Sequence, residues 1–313
     1  AINFKNMKKI GILMMALLGL FTSCNDCSSA NGTDKVEYSR NAVLYEVNIR
    51  QYTPEGTFNA FAAHLPYLKE LGVDIIWLMP IHPISELNRK GELGSYYAVQ
   101  DYTAVNPEFG TMDDFKALVK QTHDLGMHII IDWVANHTGC DHAWVTDHPS
   151  WYDYDTYGQL VSPMDWTDTY SLNYDNKDMQ KAMIDAMKFW VEEVGIDGYR
   201  CDVASMVPTD FWSDVRQELD EIKPVFMLAE SSEPDLTLCA FDMVYNWPAM
   251  FLFEEVVKGK KTADKLADLI TNQQRKFPHD TYFMNHVTNH DRNTWDGTEF
   301  ERLGAGVEAF VAL

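Results

Sequence analysis

Two hydrophobic periods take turns along most of the chain. Short runs rich in branched and aromatic residues read as strands at 43–49, 73–81, 127–134, 197–205, 224–229, 241–245 and 281–287. The second run is almost continuously apolar, as a strand covered on both faces requires. Between them lie stretches with helical spacing, near 58–71, 111–126, 177–195, 209–222 and 248–276, and a last one reaching Leu313. Pro66 marks an expected break in the first. In the second, residues 111–114 (Thr-Met-Asp-Asp) resemble a capping box, Phe115, Leu118, Val119 and Leu125 form one stripe, and Gly126 closes the helix. In the third, Met179, Met183, Ala186, Met187, Trp190 and Val194 form the apolar face, ended by Gly195.

Strand alternating with helix seven times predicts a parallel α/β architecture, an incomplete (β/α)8 barrel with seven of its eight strands. The rival is an open, doubly wound sheet, but no glycine-rich loop follows the first strand. An insertion at 139–175, rich in Asp, Trp and Tyr and without clear period, follows the third strand.

In such a barrel the active site gathers at the C-terminal strand ends. Those ends carry Asp132, Asn136 and His137, then Arg200 and Asp202, then Glu230, then Asn289, His290 and Asp291. Arg200 and Asp202, two apart on a strand, share a face. Alone they read as a structural ion pair. Three carboxylates on separate strand ends suit glycosidic cleavage, which needs one ionised carboxylate and one protonated acid. The positive charge of Arg200 predicts an ionised Asp202, and the apolar run before Glu230 predicts a raised carboxyl there.

With 313 residues and 46% hydrophobic content, the chain can bury a barrel-sized core. A net charge of -22 argues against nucleic acid or anionic lipid as partner. Residues 1–24 read as a targeting segment: Lys8 and Lys9 precede an apolar run at 10–21, too short to span a bilayer, and then small residues lead into Cys24. This resembles a bacterial lipoprotein signal with Cys24 lipidated, Met7 as the start and residues 1–6 as upstream read-through. An ordinary secretory signal is the alternative. Both imply export, to the periplasm, outer membrane or cell surface, with membrane contact only through the anchor. Residues 25–40 are small and polar and read as a flexible tether to a catalytic unit at 41–313. Cys27, Cys140, Cys201 and Cys239 have no metal-like spacing, and Cys201 should be packed and inert.

Four motifs occur in order: Asp132-Trp-Val-Ala-Asn-His137, Gly198-Tyr-Arg-Cys-Asp-Val-Ala204, Met227-Leu-Ala-Glu230 and Val287-Thr-Asn-His-Asp291. Together with residues 97–110 they resemble the α-amylase family, glycoside hydrolase family 13, over 41–313. The resemblance implies Asp202 as nucleophile, Glu230 as general acid/base and Asp291 as stabiliser of the oxocarbenium-like transition state. It implies that Arg200 orients the nucleophile, that His137 and His290 hold the sugar, and that Tyr97 stacks beneath it. The substrate would be an α-glucan, cleaved with retention, with carboxyl groups about 5 Å apart. Cyclomaltodextrinase-like or glucan-transferring chemistry is the alternative, and a non-catalytic carbohydrate-binding relative a third reading. No cofactor is required. Calcium is the one metal the resemblance brings, against Asn136, and the other reading of Asn136 is a hydrogen bond to the insertion. Ser205 and Met206 replace the family's Lys-His, which removes a contact to polymeric substrate. The missing eighth strand predicts two unpaired edges.

Overall fold

A computed structural model of the protein describes residues 35–311. The signal segment with Cys24, and the expected tether up to residue 34, lie outside the described residues. The tether's remaining residues are docked. Val36 is buried, the Tyr38 ring stacks on His128 at 3.5 Å between centroids, and the Tyr38 hydroxyl donates to the Asp197 carbonyl at 3.2 Å.

Among the described residues nine strands form: β1 Leu44–Val47, β2 Ile75–Leu78, β3 His128–Trp133, β4 His137–Gly139, β5 Thr169–Ser171, β6 Gly198–Cys201, β7 Phe226–Ala229, β8 Met243–Tyr245 and β9 Tyr282–Met284. All but β4 and β5 pair in parallel and in chain order, curling as an incomplete (β/α)8 barrel. Among the described residues β1 and β9 each pair on one side only, as the seven-strand count predicts. β4 and β5 pair with each other, antiparallel, and bracket the insertion, so His137 belongs to the insertion's first strand.

Side chains alternate between two cores because successive residues of a strand point to opposite faces. Ile76, Leu78, Ile129, Ile131, Trp133, Tyr199, Cys201, Met227, Ala229 and Val244 face the helices. Ile75, Trp77, Ile130, Phe226, Leu228, Met243, Tyr245 and Met284 fill the interior. Arg200 is on the interior face and Cys201, buried and free, on the other. Gly198 has φ +147°, and a Cβ there would stand 1.9 Å from the Phe226 carbonyl oxygen, so only glycine lets β6 approach β7 so closely.

The helices differ from expectation in their interruptions. Pro66 lies in the first turn of Leu65–Glu70, behind a separate helix Phe58–Ala62; proline there begins a helix because it has no N–H to leave unpaired. The capping box at Thr111 and Asp114 is formed, heading Met112–Asp124. The helix Lys177–Phe189 widens into a π turn, Trp190–Val194, before Gly195 turns left-handed. Residues 248–276 divide into Trp247–Val257 and Lys265–Lys276, and the last run into His290–Asp296, Glu299–Leu303 and Gly306–Val311.

Candidate active site

Arg200 is the centre of the polar cluster. It is fully buried, so its charge must be matched by partners rather than water. Nη1 donates to Asp132 Oδ1 and to Asp202 Oδ1, both at 2.8 Å. Nη2 stands 3.0 Å from Glu230 Oε2, an ion-pair distance at an angle that makes no hydrogen bond. Nε donates to the Tyr245 hydroxyl at 3.2 Å. Parallel register brings Asp132 and Arg200 side by side on β3 and β6. Beyond the ends of β6 and β7 the ladder continues, with Asp202 N bonded to Trp133 O and Glu230 N to Cys201 O. The backbone therefore places both carboxylates at the mouth of the barrel.

Three carboxylates on one guanidinium leave the cluster with excess negative charge. Burial pushes the Asp202 carboxyl well above its usual range; the negative charge of Glu230 adds to this, and Arg200 offsets only part of it. Arg200 alone therefore does not set the ionisation of Asp202, because desolvation and the neighbouring acids oppose its pull. Burial likewise raises Asp132 to about 6 against the pull of Arg200 and His290.

The backbone after Asp202 is strained. Val203 has φ 37°, a region that branched residues avoid. In that conformation its amide donates to Glu230 Oε2 at 2.8 Å, tying the acid to the residue beside Asp202. Val203→Gly should exceed Val203→Ala in stability by about 1–2 kcal/mol, since only glycine relieves the left-handed strain while both lose the side chain. Urea denaturation of the two variants checks this; an alanine variant as stable as the glycine variant contradicts the strain.

The third acid arrives from the other edge. Asn289 caps the helix His290–Asp296, accepting from the Arg292 amide, and so presents His290 and Asp291 to the cluster. Asp291 Oδ2 is 3.5 Å from His290 Nε2, and its side chain is 45% exposed against 11% and 14% for Asp202 and Glu230. Burial and the charge of Glu230 raise its carboxyl. The Tyr97 ring stacks on His290 at 5.5 Å, and its hydroxyl lies 2.9 Å from His290 Nε2 and 3.1 Å from Asp132 Oδ2. Asp202, Glu230, Asp291, Arg200, His290 and Tyr97 thus form one constellation.

His137 stands at its border. Its ring is buried and held neutral, its pKa lowered to about 4 by desolvation. It bonds the Tyr97 backbone and accepts from Asn136 Nδ2 at 3.2 Å. The Asn136 carbonyl accepts from Leu172 N of the insertion. Asn136 Nδ2 is engaged by His137, and among the described residues no group of three or more His, Cys, Asp or Glu side chains is arranged to hold a metal ion. No step below is routed through a metal.

Four contributors lie outside the sequence-derived site: Asp132, Trp77, Tyr245 and Glu46. Trp77 Nε1 donates to Asp132 Oδ2 at 3.2 Å, and Glu46 Oε1 is 2.5 Å from His290 Nδ1. For Glu46 a signal was present, a single acid inside the otherwise apolar first strand.

The family model described as "Alpha amylase, catalytic domain" matches residues 20–171 and 149–298. An alpha-amylase of Haloarcula japonica is 26% identical over 84% of this chain and 40% of its own length. An alpha-1,4-glucan:maltose-1-phosphate maltosyltransferase of Rhodospirillum rubrum is 33% identical over 55% of this chain and 28% of its own. The crystal structure of an alpha-amylase from Lactobacillus plantarum superposes with a TM-score of 0.78 at 38% identity, covering 81% of this chain and 64% of that one. The chain therefore spans less than two thirds of these relatives.

Proposed function

The chain belongs to the alpha-amylase catalytic-domain family, and from that premise we propose that it hydrolyses α-glucosidic bonds of starch-type oligo- or polysaccharides, retaining the α configuration. The two acids titrate as a coupled pair: with the shared proton on Glu230, ionised Asp202 attacks the anomeric carbon while Glu230 gives that proton to the glycosidic oxygen, which leaves with the bonding pair. A glycosyl ester on Asp202 results. Glu230, now ionised, takes a proton from water; the water oxygen attacks the anomeric carbon and the ester bond breaks. Asp291 offsets the positive charge that develops on the ring in both steps.

What supports this reading is that Asp202 and Glu230 sit on neighbouring nitrogens of one buried guanidinium. A shared guanidinium draws the two carboxylates together, and a covalent intermediate requires carboxyl groups about 5 Å apart. Transfer to another sugar in place of water is the second reading, favoured by the likeness to a maltosyltransferase, 33% identical over 55% of this chain. Export, with a lipid anchor at Cys24, belongs to the same proposal.

The test is product analysis on maltooligosaccharides, starch, pullulan and cyclodextrin with the full chain, following the first-formed anomer by proton NMR. Reducing sugar released first as the α-anomer is expected. Longer oligosaccharides without net reducing-sugar release would make it a transferase. Initial β-anomer would exclude the double displacement, and no turnover of any α-glucan would leave a non-catalytic sugar-binding barrel.

A further inference from the structure

Glu46 is the interior acid of β1, and it grips His290 twice. Its Oε1 is 2.5 Å from the ring Nδ1, and its Oε2 accepts from the His290 backbone amide at 3.2 Å. The two residues are 244 positions apart, on opposite edges of the incomplete barrel. A carboxylate can only accept, so Nδ1 carries a proton. On the other side of the ring, the Tyr97 hydroxyl lies within reach of both His290 Nε2 and Asp132 Oδ2. Asp132 Oδ1 already takes the Arg200 guanidinium, and Oδ2 takes the Trp77 indole N–H. With the Tyr97 proton donated to Asp132, the tyrosine oxygen is left to accept from Nε2. Both ring nitrogens then carry hydrogen.

We propose that Glu46 is a positioning residue that holds His290 as an oriented imidazolium, its Nε2–H a charged donor beside Asp291 in the wall of the sugar site. The double grip fixes the ring plane and also the first residue of the helix that carries Asp291. The function is that of an aimed cation: a sugar hydroxyl that replaces the Tyr97 oxygen receives a charge-assisted hydrogen bond, shorter and stronger than one from neutral imidazole.

The groups facing His290 are consistent with this. Glu46 on β1, Asp291 on its own helix and Asp132 on β3 are acidic; Arg200 on β6 is the opposing cation; Tyr97 and Trp77 are neutral. Burial alone would lower the ring's pKa, but the Glu46 hydrogen bond and charge, with Asp291, raise it on balance. The sign is therefore that the imidazolium is present below the raised folded pKa and is lost as pH rises through it.

The kinetic side of this inference rests on the glycosidase reading; its spectroscopic side does not. Histidine-labelled protein is titrated by proton–nitrogen NMR as wild type, Glu46→Gln and Glu46→Asp, and kcat/KM on a maltooligosaccharide is followed against pH. In the wild type, His290 should carry both ring protons at neutral pH. In Glu46→Gln its midpoint should fall by about one pH unit or more, the effect of removing a close opposite charge, and the alkaline limb of kcat/KM should fall with it. Glu46→Asp should restore the midpoint in part. A neutral His290 in the wild type overturns the proposal, which needs no variant to fold. So does an unchanged midpoint in Glu46→Gln, or activity lost equally at every pH, which would make the pair a structural tie alone. If the enzyme turns over no α-glucan while His290 titrates as stated, the functional reading fails and the positioning role stands.

Discussion

Asp202→Asn should leave turnover of a maltooligosaccharide lower by about 10⁴-fold or more, the order that loss of a covalent nucleophile costs. The amide is nearly isosteric with the carboxyl, so its oxygen can still accept from Arg200 Nη1, as Asp202 Oδ1 does at 2.8 Å. What disappears is the electron pair that attacks the anomeric carbon. Stability should hold or rise. Asp202 is buried beside Glu230, and its ionised form is disfavoured there. A neutral isostere removes that repulsion. The measurement is kcat with reducing-sugar detection, alongside thermal unfolding of the same sample. A variant that keeps more than a hundredth of wild-type kcat would mean that another group attacks.

Arg200→Met should act on the fold as well as on the chemistry. Asp132 is fully buried and Asp202 and Glu230 nearly so, and Arg200 is the cation shared by all three. Breaking a buried ionic cluster by removing one partner costs about 3–5 kcal/mol, because the remaining charges stay desolvated. The Tyr245 hydroxyl also loses its donor. Urea denaturation at neutral pH should show this loss, and lowering the pH should return part of it as the carboxylates take up protons. Arg200→Lys should not restore activity, since a single ammonium cannot span three carboxylates as the guanidinium fork does. A loss below about 1 kcal/mol in the methionine variant would mean the acids are already mostly protonated in the native state.

The residues of the constellation other than Tyr97, which lies in a turn and was marked only by the family resemblance, were legible because each stands at a strand end or helix start. Arg200 and Asp202 share a face by simple alternation, and Glu230 ends an apolar run. Asp132 stood among the same strand ends but was not assigned to the site; its place there follows from the β3–β6 register. Glu46 shows in sequence as a lone acid inside the first strand, but its partner does not: curvature of the sheet is what carries it to His290. The docking of residues 35–40 was also hidden, since a short polar segment has no periodicity and its anchor, Tyr38 on His128, is a contact between distant residues.

By itself the sequence determined the order of strands and helices, the inward and outward faces, and which acids stand at the mouth of the barrel. Those follow from local rules, the period of two for strands and 3.6 for helices. The tertiary structure alone decided how charge is shared there. Protonation depends on desolvation and on every charge within a few ångströms, and the register and curvature of the sheet set those distances. That is why Asp202, which its neighbour Arg200 suggested would be held low, is instead pushed up by burial and by a glutamate 28 residues further along the chain.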